Sequence, residues 1–198
     1  MKIYVISDTH WGHDNMIPYC GRPENFDDIL IKNWNKIVKP EDLVIHLGDV
    51  IMGQNSAERL PSILATLPGK KALCRGNHDV EKKWGTGTNF MEAGFDFVCD
   101  SFVHDNIAFS HCPLTPLPKQ NNLNWKKEVD LNIHGHFHNA TITKPKNLAE
   151  IDERFYDQMY YHANRSKYQL VSIEPDILQP FLLEDVVDTW MSRGGEEE

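Results

Sequence analysis

The stretch "ALCRGNHDV" (residues 72–80) changes character abruptly at its centre. An apolar run ends, and Asn77, His78 and Asp79 follow directly after a glycine. This pattern is typical of a buried β-strand that ends in a polar loop, where glycine allows a sharp turn. An amide, an imidazole and a carboxylate placed together at the end of a buried strand indicate a functional site.

Four other predicted strands end in the same way. Each of them is followed within a few residues by aspartate, by histidine or by both. Loops at the carboxyl ends of strands in an open α/β sheet line one crevice, so we expect all five clusters to meet at one edge. The other four are Asp8-Thr9-His10 after "KIYVIS" (2–7), Gly48-Asp49 after "DLVIHL" (42–47), His111 after "NIAFS" (106–110), and His134-Gly135-His136-Phe137-His138 after "VDLNI" (129–133).

The segments between these strands predict helices and one hairpin, and the alternation indicates the α/β class. The helix over 27–38 has an apolar stripe, and Asp27 is its expected N-cap. In the helix over 55–67, Asn55 and Glu58 are spaced as a capping pair, and Pro61 is expected to kink it. The remaining predictions are helices over 147–163 and 182–192, strands over 70–74 and 168–174, and a hairpin turn at His104-Asp105 between 95–103 and 106–110.

Length and composition predict one soluble domain. The 198 residues are expected to form a single domain over 1–193, followed by an acidic tail over 194–198. The formal net charge is −9, which argues against extended binding of nucleic acid. The apolar runs are only strand-sized, which argues against membrane insertion, and no signal peptide is evident, so we expect a cytoplasmic protein. The sequence leaves the oligomeric state open.

The residue types in the five clusters predict a metal centre. Carboxylate, imidazole and amide oxygen together form a ligand set for Mn, Fe, Zn or Ni. One carboxylate can bridge two ions, as in two-metal hydrolytic sites. Packing so many ionisable groups together without a cation would cost several kcal/mol. The candidate ligands are Asp8, His10, Asp49, Asn77, His111, His136 and His138, with Asp49 shared between two ions.

In this order, D-x-H, G-D, G-N-H-D, a lone H and G-H-x-H resemble the signature of the calcineurin-like metallophosphoesterases. The first loop, "DTHWGHDNMIPYCGRP" (8–23), is similar to that of a small bacterial and phage branch of this family. The resemblance implies a four-layer α/β/β/α sandwich with a dinuclear centre. It further implies one ion held by Asp8, His10, Asp49 and His138, and another held by Asp49, Asn77, His111 and His136.

Residues outside the ligand set then receive roles in phosphoryl transfer. A hydroxide that bridges the two ions would attack phosphorus, and His78 would protonate the leaving oxygen. Asp79 would orient the His78 imidazole. In the first loop, His13 and Asn15 either contact the substrate or tie the loop together, and Arg22 is a candidate for binding a second phosphate or a carboxylate of the substrate.

The expected activity is that of a dinuclear metal-dependent phosphohydrolase. A phosphodiesterase acting on small phosphodiesters or nucleotides is the leading interpretation, with two divalent ions and manganese as the first choice ahead of Fe, Zn or Ni. A phosphomonoesterase, including a protein phosphatase, is the alternative, because the motifs recognise a phosphate and not what is attached to it. A third hypothesis is a non-catalytic scaffold that binds a protein partner. Such a protein would be expected to lose metal-ligating residues, and this chain retains them.

Overall fold

A computed structural model describes residues 1–53, 55–80, 88–115, 129–139 and 165–193. Two mixed sheets with helices on both sides form the fold, which confirms the predicted α/β class. The strands are β1 (Ile3–Ile6), β2 (Leu43–His46), β3 (Lys70–Cys74), β4 (Phe97–Cys99), β5 (Ser101–His104), β6 (Ile107–Ser110), β7 (Leu131–His134), β8 (Tyr168–Leu170) and β9 (Phe181–Leu182). The helices are α1 (Met16–Cys20), α2 (Phe26–Ile37), α3 (Ser56–Ala65), α4 (Asn77–Val80), α5 (Phe90–Ala93) and α6 (Leu183–Arg193).

The first sheet has the strand order β4-β3-β2-β1-β9. Its first four strands are parallel to one another, and only β9 is antiparallel to its neighbour. Ile6 pairs with His46, and His46 pairs with Leu73, so β1, β2 and β3 reach their carboxyl ends side by side. The loops that follow these three strands therefore begin at one edge of the sheet.

The second sheet has the order β5-β6-β7-β8, and β5 and β6 form the predicted hairpin. Its turn lies one residue later than expected, at Asp105 and Asn106, which have φ values of 48° and 64°. Positive φ at two adjacent residues is the geometry that two-residue hairpin turns favour. The predicted single strand over 95–103 is divided, because β4 pairs in the first sheet and β5 pairs in the second.

Apolar side chains pack on both faces of the first sheet. Val5 and Ile45 point between the sheets, where they join Phe109 and Ile133 in one buried cluster. Tyr4 and Ile6, which alternate with Val5 along β1, point the other way, into a cluster with the helices. This alternation of burial on two faces is what a central strand requires.

The helices α2, α3 and α6 fall on predicted helical segments, whereas the short helices α1, α4 and α5 were not predicted. Asp27 lies in the first turn of α2 and not at its N-cap, and its carboxylate accepts a hydrogen bond from the Gly12 amide at 2.9 Å. Pro61 lies within α3, which is continuous across it, and the side chain of Asn55 makes no capping hydrogen bond. The predicted helix over 147–163 and the tail over 194–198 lie outside the described residues. Within the described ranges, every helix is too short or too polar to cross a membrane.

Candidate active site

The strand-end loops of both sheets meet and bring the seven predicted ligands together. Around His111, three oxygen and nitrogen atoms lie close to Nε2: Asn77 Oδ1 at 3.0 Å, His136 Nδ1 at 3.1 Å and Asp49 Oδ2 at 3.3 Å. These four side chains come from the ends of β2, β3, β6 and β7. They are the set that the resemblance assigns to one ion.

The other three side chains form an adjoining group together with Asp49. His10 Nε2 lies 3.6 Å from Asp49 Oδ2 and 4.0 Å from Asp8 Oδ1, and His138 Nε2 lies 3.6 Å from Asp8 Oδ1. The rings of His10 and His138 stack with their centroids 5.2 Å apart. Because the same Asp49 oxygen faces both groups, it has the position that a bridging carboxylate needs.

The chemistry of these atoms fits divalent cations. Among the described residues, Asp8 Oδ1 and both ring nitrogens of His10 are buried without a hydrogen-bond partner. Buried polar atoms are rarely left in this state, because each costs about 1–3 kcal/mol. Ligand atoms of Asp8, His10 and His138, and separately of Asp8, Asp49 and His111, all lie within 4.8 Å of one another. A cation in each group would satisfy these lone pairs.

In the metal-free protein, protons take the place of cations at part of this cluster. Burial opposes protonation of His111, but the negative charge of Asp49 raises the pKa of His111 to about 9. Burial also opposes protonation of His138, but the negative charge of Asp8 raises the pKa of His138 to about 11. Burial lowers the pKa of His10 well below its usual value, and burial together with the nearby charge of His111 lowers the pKa of His136 to about 4. The carboxylates thus attract positive charge, and the imidazoles of His10 and His136 remain neutral.

Most of the predicted ligands have unusual backbone conformations. Five of the seven predicted ligands have φ in the left-handed region, which side chains other than glycine rarely adopt. Such strain concentrates where a surrounding structure holds residues for function. The five residues are Asp8 (φ 55°), His10 (47°), Asp49 (54°), His136 (75°) and His138 (50°).

Two glycines permit the close approach of the ligand loops. A Cβ atom at Gly76 would collide with the carboxylate of Asp49, and one at Gly135 would collide with the side chains of Ser7 and Asp8. Neither glycine has a positive φ, so the requirement is for space and not for a special turn. The glycine before "NHD" therefore allows the third loop to lie against the second.

Asp79 lies elsewhere than the sequence suggests. Its buried carboxylate accepts hydrogen bonds from the backbone amides of Gly76 at 2.7 Å, Asp49 at 2.8 Å and Val50 at 3.0 Å. Burial and the charge of Asp49 raise the pKa of Asp79 to about 6, although the amide donors act against this. Asp79 thus joins the β2 and β3 loops, in place of the expected contact that orients His78.

His78 lies at the opening of the ligand cluster. Its backbone amide donates to Asp49 Oδ1 at 2.9 Å, and its Nε2 lies 3.8 Å from Asp49 Oδ2. The His78 side chain is 25% exposed, whereas those of Asp49 and His111 are almost fully buried. An imidazole beside the ligands and open to solvent can exchange a proton with a bound molecule.

Arg22 also differs from the expected substrate contact. Its guanidinium is completely buried, and it donates to the carboxylate of Glu174 and to the backbone carbonyls of Thr9 and Asp8. In this structure Arg22 lies beneath the ligand loops and not in the cleft. Glu174 was not identified from the sequence, because the pattern placed this residue at the end of a strand over 168–174. In the structure the strand ends at Leu170, and Glu174 lies in the loop beyond it.

The two other candidate substrate contacts lie on the first loop. His13 is partly buried, with its ring centroid 5.6 Å from that of His10, and burial lowers its pKa. Asn15 is exposed at the N-terminus of α1. His13 is therefore next to the cluster of predicted ligands, while Asn15 lies on the exposed surface of the first loop.

An open crevice of about 340 Å³ adjoins the predicted ligands Asn77 and His111. At its side, Arg75 donates from Nε and Nη2 to Asp100 Oδ1 at 2.9 and 2.5 Å. The described residues that line the crevice are Arg75, Gly76, Asn77, Val80, Asp100, Ser101, Ser110, His111, Cys112, Pro113 and Leu114.

Known proteins share this sequence and fold. The model of the calcineurin-like phosphoesterase family matches residues 1–148. An uncharacterised protein of Methanocaldococcus jannaschii is 48% identical in an alignment over 148 residues, and the match covers 65% of this chain and 82% of that protein. The gene 66 protein of Mycobacterium phage L5 is 24% identical over 162 residues, covering 70% of this chain and 78% of the phage protein.

A solved structure extends the likeness to almost the whole fold. The crystal structure of a protein of unknown function from Aquifex aeolicus superposes with a TM-score of 0.63 at 26% identity. The match covers 95% of this chain and 98% of that one. The family match spans all five strand-end clusters, and those clusters form the ligand groups described above. This chain therefore belongs to the calcineurin-like phosphoesterase family, whose members are metal-dependent phosphoester hydrolases.

Proposed function

We propose that this protein is a phosphodiesterase that uses two divalent ions, with manganese as the first choice, to hydrolyse small phosphodiesters or nucleotides. The observation that carries the proposal is the charge of the cleft. Among the crevice residues that the structure describes, Arg75 is the only arginine or lysine, and Asp100 already pairs with it. The buried Arg22 is likewise paired, with Glu174.

This balance of charge favours diesters over monoesters. A phosphomonoester carries close to two negative charges near neutral pH, whereas a diester carries one. A monoester would gain from an additional unpaired cation beside the centre, and the described part of the crevice offers none. A diester needs less compensation, and the open crevice leaves space for its second organic group.

The chain's own residues have separate tasks in this proposal. The seven ligands would hold the two ions, which lower the pKa of a bound water and neutralise charge on the phosphate. His78, which lies at the cluster opening, donates a proton to the departing alkoxide. Asp79 holds together the loops that carry Asp49 and Asn77, because its carboxylate accepts hydrogen bonds from three backbone amides of these loops. His13 is placed to contact a group bound above His10.

The test compares a chromogenic phosphodiester with its matching monoester. The protein is stripped with a chelator, and hydrolysis of bis(p-nitrophenyl) phosphate and p-nitrophenyl phosphate is measured before and after Mn²⁺ is restored, with Zn²⁺, Fe²⁺ and Ni²⁺ in parallel. Metal-restored cleavage that favours the diester supports the proposal. Preference for the monoester would make the protein a phosphatase, and two bound ions without cleavage of either ester would favour a scaffold.

The proton-donor role of His78 is tested by replacing it with alanine. We expect His78→Ala to lower kcat by about 10²–10⁴-fold for a diester with an alkoxide leaving group, such as a cyclic nucleotide, because general acid catalysis contributes on that scale. Hydrolysis of bis(p-nitrophenyl) phosphate should change less, because p-nitrophenolate departs without a proton. Ion content should stay the same, since His78 is not among the seven ligands. His104→Ala is the matched control, because His104 is exposed in the β5–β6 hairpin. Turnover of the alkoxide-releasing diester by His78→Ala equal to that of the control would refute the role.

A further inference from the structure

We propose that Glu174 is a positioning residue that, together with Arg22, fixes His138 and so makes one ion site chemically different from the other. This inference rests on the two-ion centre of the proposed function. Neither residue belongs to the five motifs, and 152 positions separate them in the chain. Both side chains are completely buried next to the ligand cluster.

Glu174 connects a ligand imidazole to a buried cation. Its Oε1 accepts a hydrogen bond from His138 Nδ1 at 2.8 Å, and its Oε2 accepts one from Arg22 Nε at 2.7 Å. A second hydrogen bond joins Arg22 Nη2 to Oε1. Because Nδ1 is occupied in this way, Nε2 of His138 is the nitrogen directed at the ligand group, 3.6 Å from Asp8 Oδ1. A carboxylate behind a ligating histidine fixes its orientation and increases its basicity.

Arg22 extends this chain of contacts to a second ligand. Its Nη2 donates to the Asp8 carbonyl at 2.6 Å, and its Nη1 donates to the Thr9 carbonyl at 2.7 Å. One guanidinium therefore holds the backbone of Asp8 and the partner of His138 at the same time. Its charge also compensates the Glu174 carboxylate, which would be costly to bury alone. Asp8 and His138 belong to the same ligand group, so the contacts organise one ion site.

The other ligand group has no equivalent carboxylate among the described residues. There, Nδ1 of His111 contacts the backbone carbonyl of Leu47 at 2.8 Å. A neutral carbonyl orients the ring, but a hydrogen bond to a carboxylate is about twice as strong. We therefore expect loss of Glu174 to weaken the ion bound by His10 and His138 about 10–100-fold, the usual effect of removing such a partner. The ion bound by His111 and His136 should change much less.

The test measures ion binding directly in the full chain. Mn²⁺ and Co²⁺ are titrated into chelator-treated protein by calorimetry, and the Co²⁺ form is followed by its visible absorption. The variants are Glu174→Gln and Glu174→Asp, with Glu184→Gln as the control, since Glu184 is exposed on α6. His138→Ala and His111→Ala provide reference signatures for loss of each site.

We expect Glu174→Gln to weaken, about 10–100-fold, the same ion whose signature His138→Ala loses, and Glu174→Asp to restore part of the lost affinity. Two unchanged affinities, or equal weakening of both ions in a folded variant, would overturn the proposal. Because Glu174→Gln leaves Arg22 buried without a counter-charge, the double variant Arg22→Met/Glu174→Met is measured as well, and it should lose the same single ion. Binding is read without hydrolysis, so a protein that binds two ions and cleaves no diester would refute the proposed activity but not this inference.

Discussion

At the residue scale, His46 shows how a buried histidine can be structural rather than a ligand. The Gly48 amide donates to its Nδ1 at 3.1 Å. Its Nε2 lies 2.9 Å from the Thr9 hydroxyl, which itself donates to the Val50 carbonyl at 2.7 Å, so Nε2 carries the proton. Burial lowers the pKa of His46 to about 3. The neutral ring therefore links the β1 and β2 loops that carry the ligands.

This environment predicts a defined pH dependence of stability. The unfolded chain binds a proton at His46 near pH 6.5, but the folded protein binds it only near pH 3. The contribution of His46 to stability is therefore lost as the pH falls below about 6.5, with a slope that approaches about 1.4 kcal/mol per pH unit. In the non-titrating variant His46→Asn this contribution should disappear. Urea unfolding of the chelator-treated native protein and of His46→Asn between pH 4.5 and 7.5 measures this contribution. Free energies of unfolding that change in parallel with pH in the two proteins would contradict the prediction.

The pKa values of the predicted ligand histidines lead us to expect that metal binding releases protons. In the metal-free protein, the raised pKa values of His111 and His138, about 9 and about 11, keep both rings protonated at pH 7. A metal binds only the neutral ring, so up to about two protons should leave per centre, and affinity should rise as the pH rises. Calorimetric titration with Mn²⁺ in buffers of different ionisation enthalpy counts these protons. Heats that do not depend on the buffer would show that the rings are neutral before binding.

At the element scale, the sequence predicts the positions of the ligands better than the contacts behind them. The clusters after β1, β2 and β3 could be placed at one edge because parallel strands share the position of their carboxyl ends. Loop conformation could not be predicted in the same way, since left-handed φ at Asp8 or His136 depends on the neighbouring loops. The contacts of Asp79 could not be predicted either, because its carboxylate accepts hydrogen bonds from backbone amides about thirty positions away in the chain.

Glu174 and Arg22 show the limit of local pattern most clearly. The run over 168–174 has the composition of a strand, but pairing with β7 stops at Leu170. Arg22 lies in a polar loop, where nothing in the sequence distinguishes a side chain that enters the cleft from one that turns beneath it. Their contact spans 152 positions and arises only when both sheets are assembled.

The close approach of the loops after β1 and β7 gives a prediction for Gly135. In Gly135→Ala the added Cβ would collide with Ser7 and the Asp8 carboxylate, so we expect at least about tenfold weaker binding of the ion held by Asp8. Gly94→Ala is the matched control. Gly94 has φ of 124°, and its Cβ would meet Leu64 at an ordinary 3.5 Å, so that variant should lose about 1–2 kcal/mol of stability and keep its ion affinity. Mn²⁺ titration and urea unfolding separate the two effects, and unchanged ion affinity in Gly135→Ala would refute the prediction.

At the scale of the whole molecule, the ligand groups join the two sheets. Asp8, His10, Asp49 and Asn77 follow strands of the first sheet, and His111, His136 and His138 follow strands of the second. Each proposed ion has ligands from both sheets. The buried cluster between the sheets already holds them together through apolar contacts. Bound ions would add a second connection at the ligand end, where Asp8 Oδ1 and both ring nitrogens of His10 otherwise lack a hydrogen-bond partner among the described residues.

This geometry predicts that the ions stabilise the whole fold. At a free ion concentration about 100 times Kd, each ion should add about 2.7 kcal/mol, and for a chain of this size 1 kcal/mol corresponds to about 2–4 °C in Tm. We therefore expect a chelator to lower Tm by at least about 5 °C, and Mn²⁺ to restore it, in thermal unfolding followed by circular dichroism. His136→Ala removes a ligand contributed by the second sheet, so its Tm should respond less to Mn²⁺ while its metal-free Tm stays close to that of the native sequence. An equal response of both proteins to Mn²⁺ would mean that His136 does not contribute to the connection between the sheets.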